Sequence, residues 1–172
     1  MNGSKAKYHY DAGESSEWYT PAEYIEAARA TMGAIDLDPA SCEFANRVIQ
    51  AATFYDRFVD GLHQQWRGRV WLNPPYSDYP GQEAKWADKL LYEYCEGRVN
   101  QAVMLVNLST AYQPVMQVLA GEGMVCLVAK PIRFYNAQGD SQSSPTQANM
   151  FFYLGERRQQ FCQHFGPFGV CK

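Results

Sequence analysis

Residues 101–108 read Gln-Ala-Val-Met-Leu-Val-Asn-Leu, a nearly unbroken apolar run. A strand with one wet face alternates apolar and polar residues, whereas a strand covered on both faces does not. The run therefore predicts a central buried strand, and Met124–Ala129 predicts a second. Helical patterns separate the strands. Trp86, Leu90 and Tyr94 recur on one helix face, with Ala87 and Leu91 beside them, and Ser109-Thr110 can cap a short helix at 112–119 that Gly121 and Gly123 end. Strands alternating with helices predict an α/β fold with a mostly parallel sheet. Its C-terminal end reads as a wide antiparallel hairpin, from Ile132–Tyr135 through a polar loop at 136–147 to Asn149–Leu154. That loop is longer than a hairpin needs, and long loops are often functional.

The 172 residues are 47% hydrophobic and suit one globular unit at 17–172. Residues 1–16 are polar and without periodicity, and read as a flexible N-terminal arm. A net charge of −3 gives no general attraction to nucleic acid or acidic membranes. Nucleic-acid contact would need a local basic patch such as Arg67 with Arg69, Lys85 with Lys89, Lys130 with Arg133, or Arg157-Arg158; each alone also reads as solvated surface charge. No apolar run approaches bilayer length and the start lacks a secretory h-region, so a soluble cytoplasmic protein with no membrane partner is expected. The five scattered cysteines include no Cys-x-x-Cys pair; four lie in or beside apolar or helical runs and read as reduced structural thiols, and Cys162-x-His164 with Cys171 lacks paired metal spacing, so no metal is expected.

Taken in order, Trp18-Tyr19-Thr20-Pro21 opens the ordered chain. Thr20 suits an N-cap, Pro21 the first helical position, and Glu23 completes a capping box. Ile25, Ala28 and Met32 then form an apolar stripe that Gly33 stops. Thr20 and Trp18 also lie where a pocket wall could form. Ala34–Ser41 reads as a short strand ended by Pro39, with Ile35 and Leu37 on one face and Asp36 and Asp38 on the other. Carboxylates at such a strand end either cap a following helix or bind a ligand, because open α/β sheets bind ligands at this edge. The small pair Ala40-Ser41 would let a ligand approach the backbone. Residues 46–57 are ambiguous between strand and irregular structure. Asp60-Gly61-Leu62 reads as a turn whose carboxylate could face the same pocket, and Trp66 as the anchor of its loop.

The strand at 69–72 runs into Asn73-Pro74-Pro75-Tyr76 and must stop there, since proline lacks an N–H and restricts the residue before it. Asn73 and Pro74 both precede a proline, so their carbonyls are held in a stiff, extended geometry with the Tyr76 ring just beyond. A rigid acceptor pair beside an aromatic platform suits the exocyclic amino group of a planar base; a plain proline turn is the alternative.

Thr20-Pro21, Asp36-Leu37-Asp38-Pro39-Ala40-Ser41, Asn46, Asp60-Gly61-Leu62, Trp66 and Val70–Tyr76 together resemble, in order and spacing, the phage-type Dam-like DNA N6-adenine methyltransferases. The resemblance covers about residues 17–155. It implies S-adenosylmethionine as donor, DNA as partner with its adenine flipped out if duplex, and a Rossmann-like methyltransferase fold whose last strand runs antiparallel. By residue it implies a catalytic Asn73-Pro74-Pro75-Tyr76 motif. It implies donor contacts from Asp38 at the first strand's end, from Thr20 and Pro21 upstream, and from Asp60 toward the donor's adenine. Trp18, Asp36, Pro39, Ala40 and Ser41 flank those positions and complete the expected donor set. Phe134, with Arg133 beside it, falls about where related enzymes place a second aromatic against the target base.

Two departures stand out. Asp38-Pro39-Ala40-Ser41 replaces the glycine-rich turn common after the first strand, and no separate target-recognition domain is apparent, which leaves specificity to the loops at 77–81 and 136–147. His9, His63 and His164 lie outside every motif. The same chemistry on RNA adenine or a protein glutamine, or a relative that only binds, are the rival readings.

Overall fold

Alternate residues of one long strand fill two separate cores. The computed structural model describes residues 18–75, 81–141 and 145–172; the expected N-terminal arm, Tyr76 with most of the following loop, and part of the 136–147 loop lie outside them. The described helices are α1 (Ala22–Met32), α2 (Glu43–Ile49), α3 (Gln82–Cys95), α4 (Pro114–Glu122) and α5 (Arg158–Phe165). The strands are β1 (Leu37–Asp38), β2 (Thr53–Phe54), β3 (Gly68–Leu72), β4 (Val99–Asn107), β5 (Met124–Val128), β6 (Asn149–Leu154) and β7 (Gly169–Cys171). Among the described residues they form one mixed α/β sheet in the order β2-β1-β3-β4-β6-β5-β7. Val103 and Leu105 of β4 pack with α1 and α5, while Ala102, Met104 and Val106 pack with α3 and α4. The apolar run thus does what its lack of alternation implied.

β1, β2, β3 and β4 pair in parallel. β6 runs antiparallel to both β4 and β5, and β7 antiparallel to β5. β5 therefore shares the direction of β1–β4, and two of the seven strands are reversed. The antiparallel end was expected, but its partners were not. Ile132–Tyr135 forms no strand; Tyr135 makes isolated bridges to Tyr19 and Ser141. The Ile132 amide is turned to the Asn149 side chain (3.4 Å) instead of a ladder. The strand that continues from β5 is Asn149–Leu154, slotted between β5 and β4, where both its faces are buried.

Other local expectations shift for identifiable reasons. α1 begins at Ala22 with extended Pro21 in the N-cap position, so Pro21 is not the first helical residue as expected, and Thr20 stands one residue short of the cap, which leaves the helix start without a side-chain cap; its stripe of Ile25, Ala28 and Met32 is fully buried, and Gly33 ends it at φ 90°. Ile35 departs from strand alternation, since β1 proper starts at Leu37, and the two residues enter different cores. The ambiguous stretch resolves into α2 and β2, with the Asn46 amide bonded to both the N–H (2.8 Å) and carbonyl (3.2 Å) of Ala51. The expected helix at 112–119 is displaced to Pro114–Glu122, after a single turn at Leu108–Thr110 that Asn107 caps. Among the described residues no helix is long and apolar enough to cross a membrane.

Candidate active site

Parallel pairing of β1, β2, β3 and β4 brings their carboxyl ends to one edge. Leu37 is registered with Val70, so the chain leaves β1 at Asp38 and β3 at Asn73 side by side. Val70, Trp71 and Leu72 are completely buried and hold that exit in the core. Pro74 is buried and Pro75 exposed, so the chain turns outward here; Tyr76 lies outside the described residues.

The Asn73 side chain is unusual. Its Nδ2 donates to Thr20 Oγ1 at 3.2 Å, while its Oδ1 is buried and accepts from no group among the described residues. An unpaired buried acceptor costs about 1–3 kcal/mol, and a partner brought by water or ligand relieves that cost. Here the amide carries a free acceptor into the edge, as a site for an incoming N–H donor would require.

Thr20 reaches Asn73 from a segment that is itself pinned. The Tyr19 amide donates to the Tyr135 carbonyl at 2.7 Å and the Tyr135 amide returns the bond at 3.1 Å. The Tyr19 ring packs on Phe44 (4.7 Å) and Tyr135 (5.8 Å). Trp18 stays exposed. Pro21 lines a cleft of about 660 Å³ with Glu23, Tyr24, Lys130, Arg133 and Pro145. Sequence reasoning assigned Thr20 to a cap and missed its bond to Asn73, because a local Thr-Pro-x-Glu pattern carries no sign of a partner 53 residues away. The cleft's pairing of Lys130 with Arg133 was visible as a charge cluster, but not its placement beside Pro21.

Asp38 is 1% exposed. Burial pushes its carboxyl up to about 7, against the weaker pull of Ser41 and of the Ala40 amide, which donates to Oδ1 at 3.1 Å. Ser41 Oγ lies close to Asp38 but makes no hydrogen bond of proper geometry and is itself buried. A dry carboxylate with no ion pair among the described residues, next to an unpaired hydroxyl, fits a cationic ligand bearing polar donors. Pro39 forms the floor of this turn. A Cβ on Gly61 would meet the Pro39 carbonyl oxygen at 1.9 Å, so the loop after β2 sits directly against it and only glycine fits. Trp66 Nε1 donates to the Gly61 carbonyl at 2.8 Å and anchors that loop, as its position suggested.

Three expected site residues are occupied otherwise. Asp36 takes the Arg69 guanidinium (2.6 and 2.8 Å) and the Arg69 amide (2.8 Å), which holds its carboxyl below the usual range. It belongs to the start of β3 and not to the edge where Asp38 emerges. Asp60 caps the turn Gly61–His63, accepting from the Leu62 amide and pairing with His63 at 2.8 Å. Phe134 is 8% exposed and packs in the core under α1; of its pair, Arg133 is the residue that reaches solvent. Among the described residues no cluster of three or more His, Cys, Asp or Glu could hold a metal ion.

Comparison with known families adds one finding. A family model described as DNA N-6-adenine-methyltransferase (Dam) matches residues 8–163. No curated protein matches the chain.

Proposed function

The chain belongs to the Dam family of DNA N-6-adenine-methyltransferases, and on that premise we propose that it transfers a methyl group from S-adenosylmethionine to the N6 amine of adenine in DNA. The observation that carries this reading is the buried, unpaired Asn73 Oδ1 at the carboxyl end of β3. The sheet order, with a reversed strand between β4 and β5, supports a Rossmann-like methyltransferase arrangement.

The N6 lone pair of adenine is delocalised into the ring, so the amine is a poor nucleophile. Asn73 Oδ1 and the Pro74 carbonyl, each accepting one N–H, draw that nitrogen toward tetrahedral geometry and free its lone pair. Their positions are set by the buried strand before them and the proline after them, so little reorganisation accompanies the reaction. S-adenosylmethionine, when bound, supplies an electrophilic methyl on a sulfonium centre. The chain's part is to hold a cation: Asp38, ionised in the bound state, and Ser41 Oγ accept from or donate to its polar groups within the turn that Pro39 and Ala40 form. Tyr76 stacks on the adenine, worth about 1–3 kcal/mol, and offsets part of the few kcal/mol needed to flip the base from a duplex. No general base of tuned pKa is required.

The decisive experiment is transfer of labelled methyl from S-adenosylmethionine to unmethylated DNA and, separately, to RNA. N6-methyladenine in DNA is the expected product. Label in RNA alone moves the acceptor, and no label in either, despite measurable donor binding, sinks the catalytic reading.

We assign the cleft beside Pro21, the residue after Thr20, to contact with the DNA backbone. Lys130 and Arg133 outnumber Glu23 in its lining, so the wall carries net positive charge toward a phosphate backbone. Replacing both cations with Gln is expected to raise the KM for DNA at moderate salt and leave donor affinity unchanged. On duplex DNA the salt slope should shrink by about 0.9 for each phosphate that the variant no longer neutralises. An unchanged slope would take the cleft out of the DNA path.

A further inference from the structure

We propose that Thr20 is a positioning residue for Asn73: its hydroxyl anchors the side-chain amide at the sheet edge, with Oδ1 left toward the target amine. Thr20 thereby acts on the catalytic group instead of on the methyl donor. The proposal relies on the adenine-methylation reading for what Asn73 does, but the bond itself stands independently of it.

A terminal amide has two ends of nearly equal size and opposite polarity. With Oδ1 toward the substrate it accepts an N–H. Turned over, it would present two N–H groups to an amine that also bears two, and the transfer geometry would be lost. The exit of β3 supplies steric walls in Val70–Leu72 and Pro74, which confine the amide without anchoring it. The bond from Nδ2 to Thr20 Oγ1 at 3.2 Å is a polar contact that ties down one end of the amide and leaves Oδ1 toward the edge.

Thr20 is suited to the task by how it is held. It is largely buried, and the two-way backbone pairing of Tyr19 with Tyr135 fixes the peptide before it. Pro21 fixes the peptide after it, through its restricted φ. The hydroxyl is therefore placed by the backbone on both sides and not by a free rotor in a loop.

The test compares Thr20→Val, which keeps the shape and removes the hydroxyl, with Thr20→Ser, which keeps the hydroxyl. Thr20→Val is expected to lower kcat by about ten- to a hundredfold, the scale of a small misplacement of a reacting group. Donor affinity by calorimetry and the thermal midpoint should stay near those of the parent protein. Thr20→Ser should restore most of kcat, and Thr20→Val added to Asn73→Ala should cost nothing more. A second readout needs neither donor nor DNA. The Asn73 side-chain N–H₂ resonances should exchange slowly in the parent protein and in Thr20→Ser, and quickly in Thr20→Val.

Unchanged kcat in Thr20→Val overturns the proposal, and so does a loss confined to donor affinity, which would make Thr20 a donor contact. If the parent protein methylates nothing, the amide exchange still decides whether Thr20 holds Asn73, so this proposal and the functional reading fail separately. Should Thr20→Val not fold, Thr20→Ala against Thr20→Ser carries the same comparison.

Discussion

Asn73→Ala is expected to lower methyl transfer by about a hundredfold or more while donor affinity stays near that of the parent protein. The size follows from removing one preorganised polar group whose value is greatest where charge and geometry change in the transition state. Stability should hardly fall, and this separates the prediction from a simple loss of structure. Asn73 follows the buried run Val70–Leu72, is itself only half-buried and belongs to neither core, and the deletion removes a buried carbonyl that has no partner among the described residues. Relief of that orphan offsets the lost bond to Thr20, so the thermal midpoint is expected to move by little in either direction. Single-turnover transfer with saturating donor and DNA reads the chemical step directly. Turnover close to the parent's would remove Asn73 from the reaction.

Asn73→Asp sharpens the argument. The carboxylate still offers an acceptor toward the edge, but the end facing Thr20 changes from donor to acceptor, so the threonine must donate instead. Partial activity is the expected result, above that of Asn73→Ala, because acceptor and position are retained while the charge is not matched to the site. Activity equal to Asn73→Ala would mean that orientation by an amide, and not the presence of an acceptor, sets the rate.

The residues that sequence reasoning placed well are those whose role is set by their neighbours in the chain. β4 is buried on both faces because Ala102–Val106 has no polar residue to turn outward. β3 stops at Asn73 because two prolines follow, and Trp66 anchors the loop that re-enters it. What was misplaced depends on partners far away. Asp36 and Asp38 look alike in alternation, yet Arg69, 33 residues on, takes one and leaves the other dry. Met150–Leu154 has no polar alternation, so its pattern does not say whether Ile132–Tyr135, β4 or β5 flanks it; the structure chooses the last two. Thr20 satisfies the local rules for a cap, but the helix starts one residue later than they imply, with Pro21 at its N-cap, and the hydroxyl meets Asn73 across the fold.

Asp38→Asn is expected to weaken donor binding while stabilising the free protein above neutral pH, and the two effects have one cause. Removing one charged partner from a buried charge-assisted hydrogen bond costs about 1.5–3 kcal/mol, so donor affinity should fall by about tenfold or more. In the free protein the same carboxylate is a burden. Its folded value, pushed up to about 7 by burial, lies above the ordinary 3.8. Below about pH 4 both folded and unfolded chains carry the proton. Between there and about 7 only the folded chain does, so Asp38 makes stability fall as pH rises through this window. Above about 7 both are ionised and the cost is constant. Asp36 and Glu93, whose values are lowered by Arg69 and by Lys89 with Arg98, act at the acid end and with the opposite sign. The difference in thermal midpoint between Asp38→Asn and the parent should therefore grow from about pH 4 to about pH 7 and level off beyond. Donor affinity of the parent should climb toward the upper end of that interval, since a cationic ligand requires the ionised form, and binding at pH 6 should release a proton to buffer. Calorimetry in buffers of differing ionisation enthalpy measures that proton. Donor affinity that is flat from pH 6 to 8, with no proton released, would show that Asp38 does not face the donor, and the buried carboxylate would then be a structural cost without a ligand to explain it.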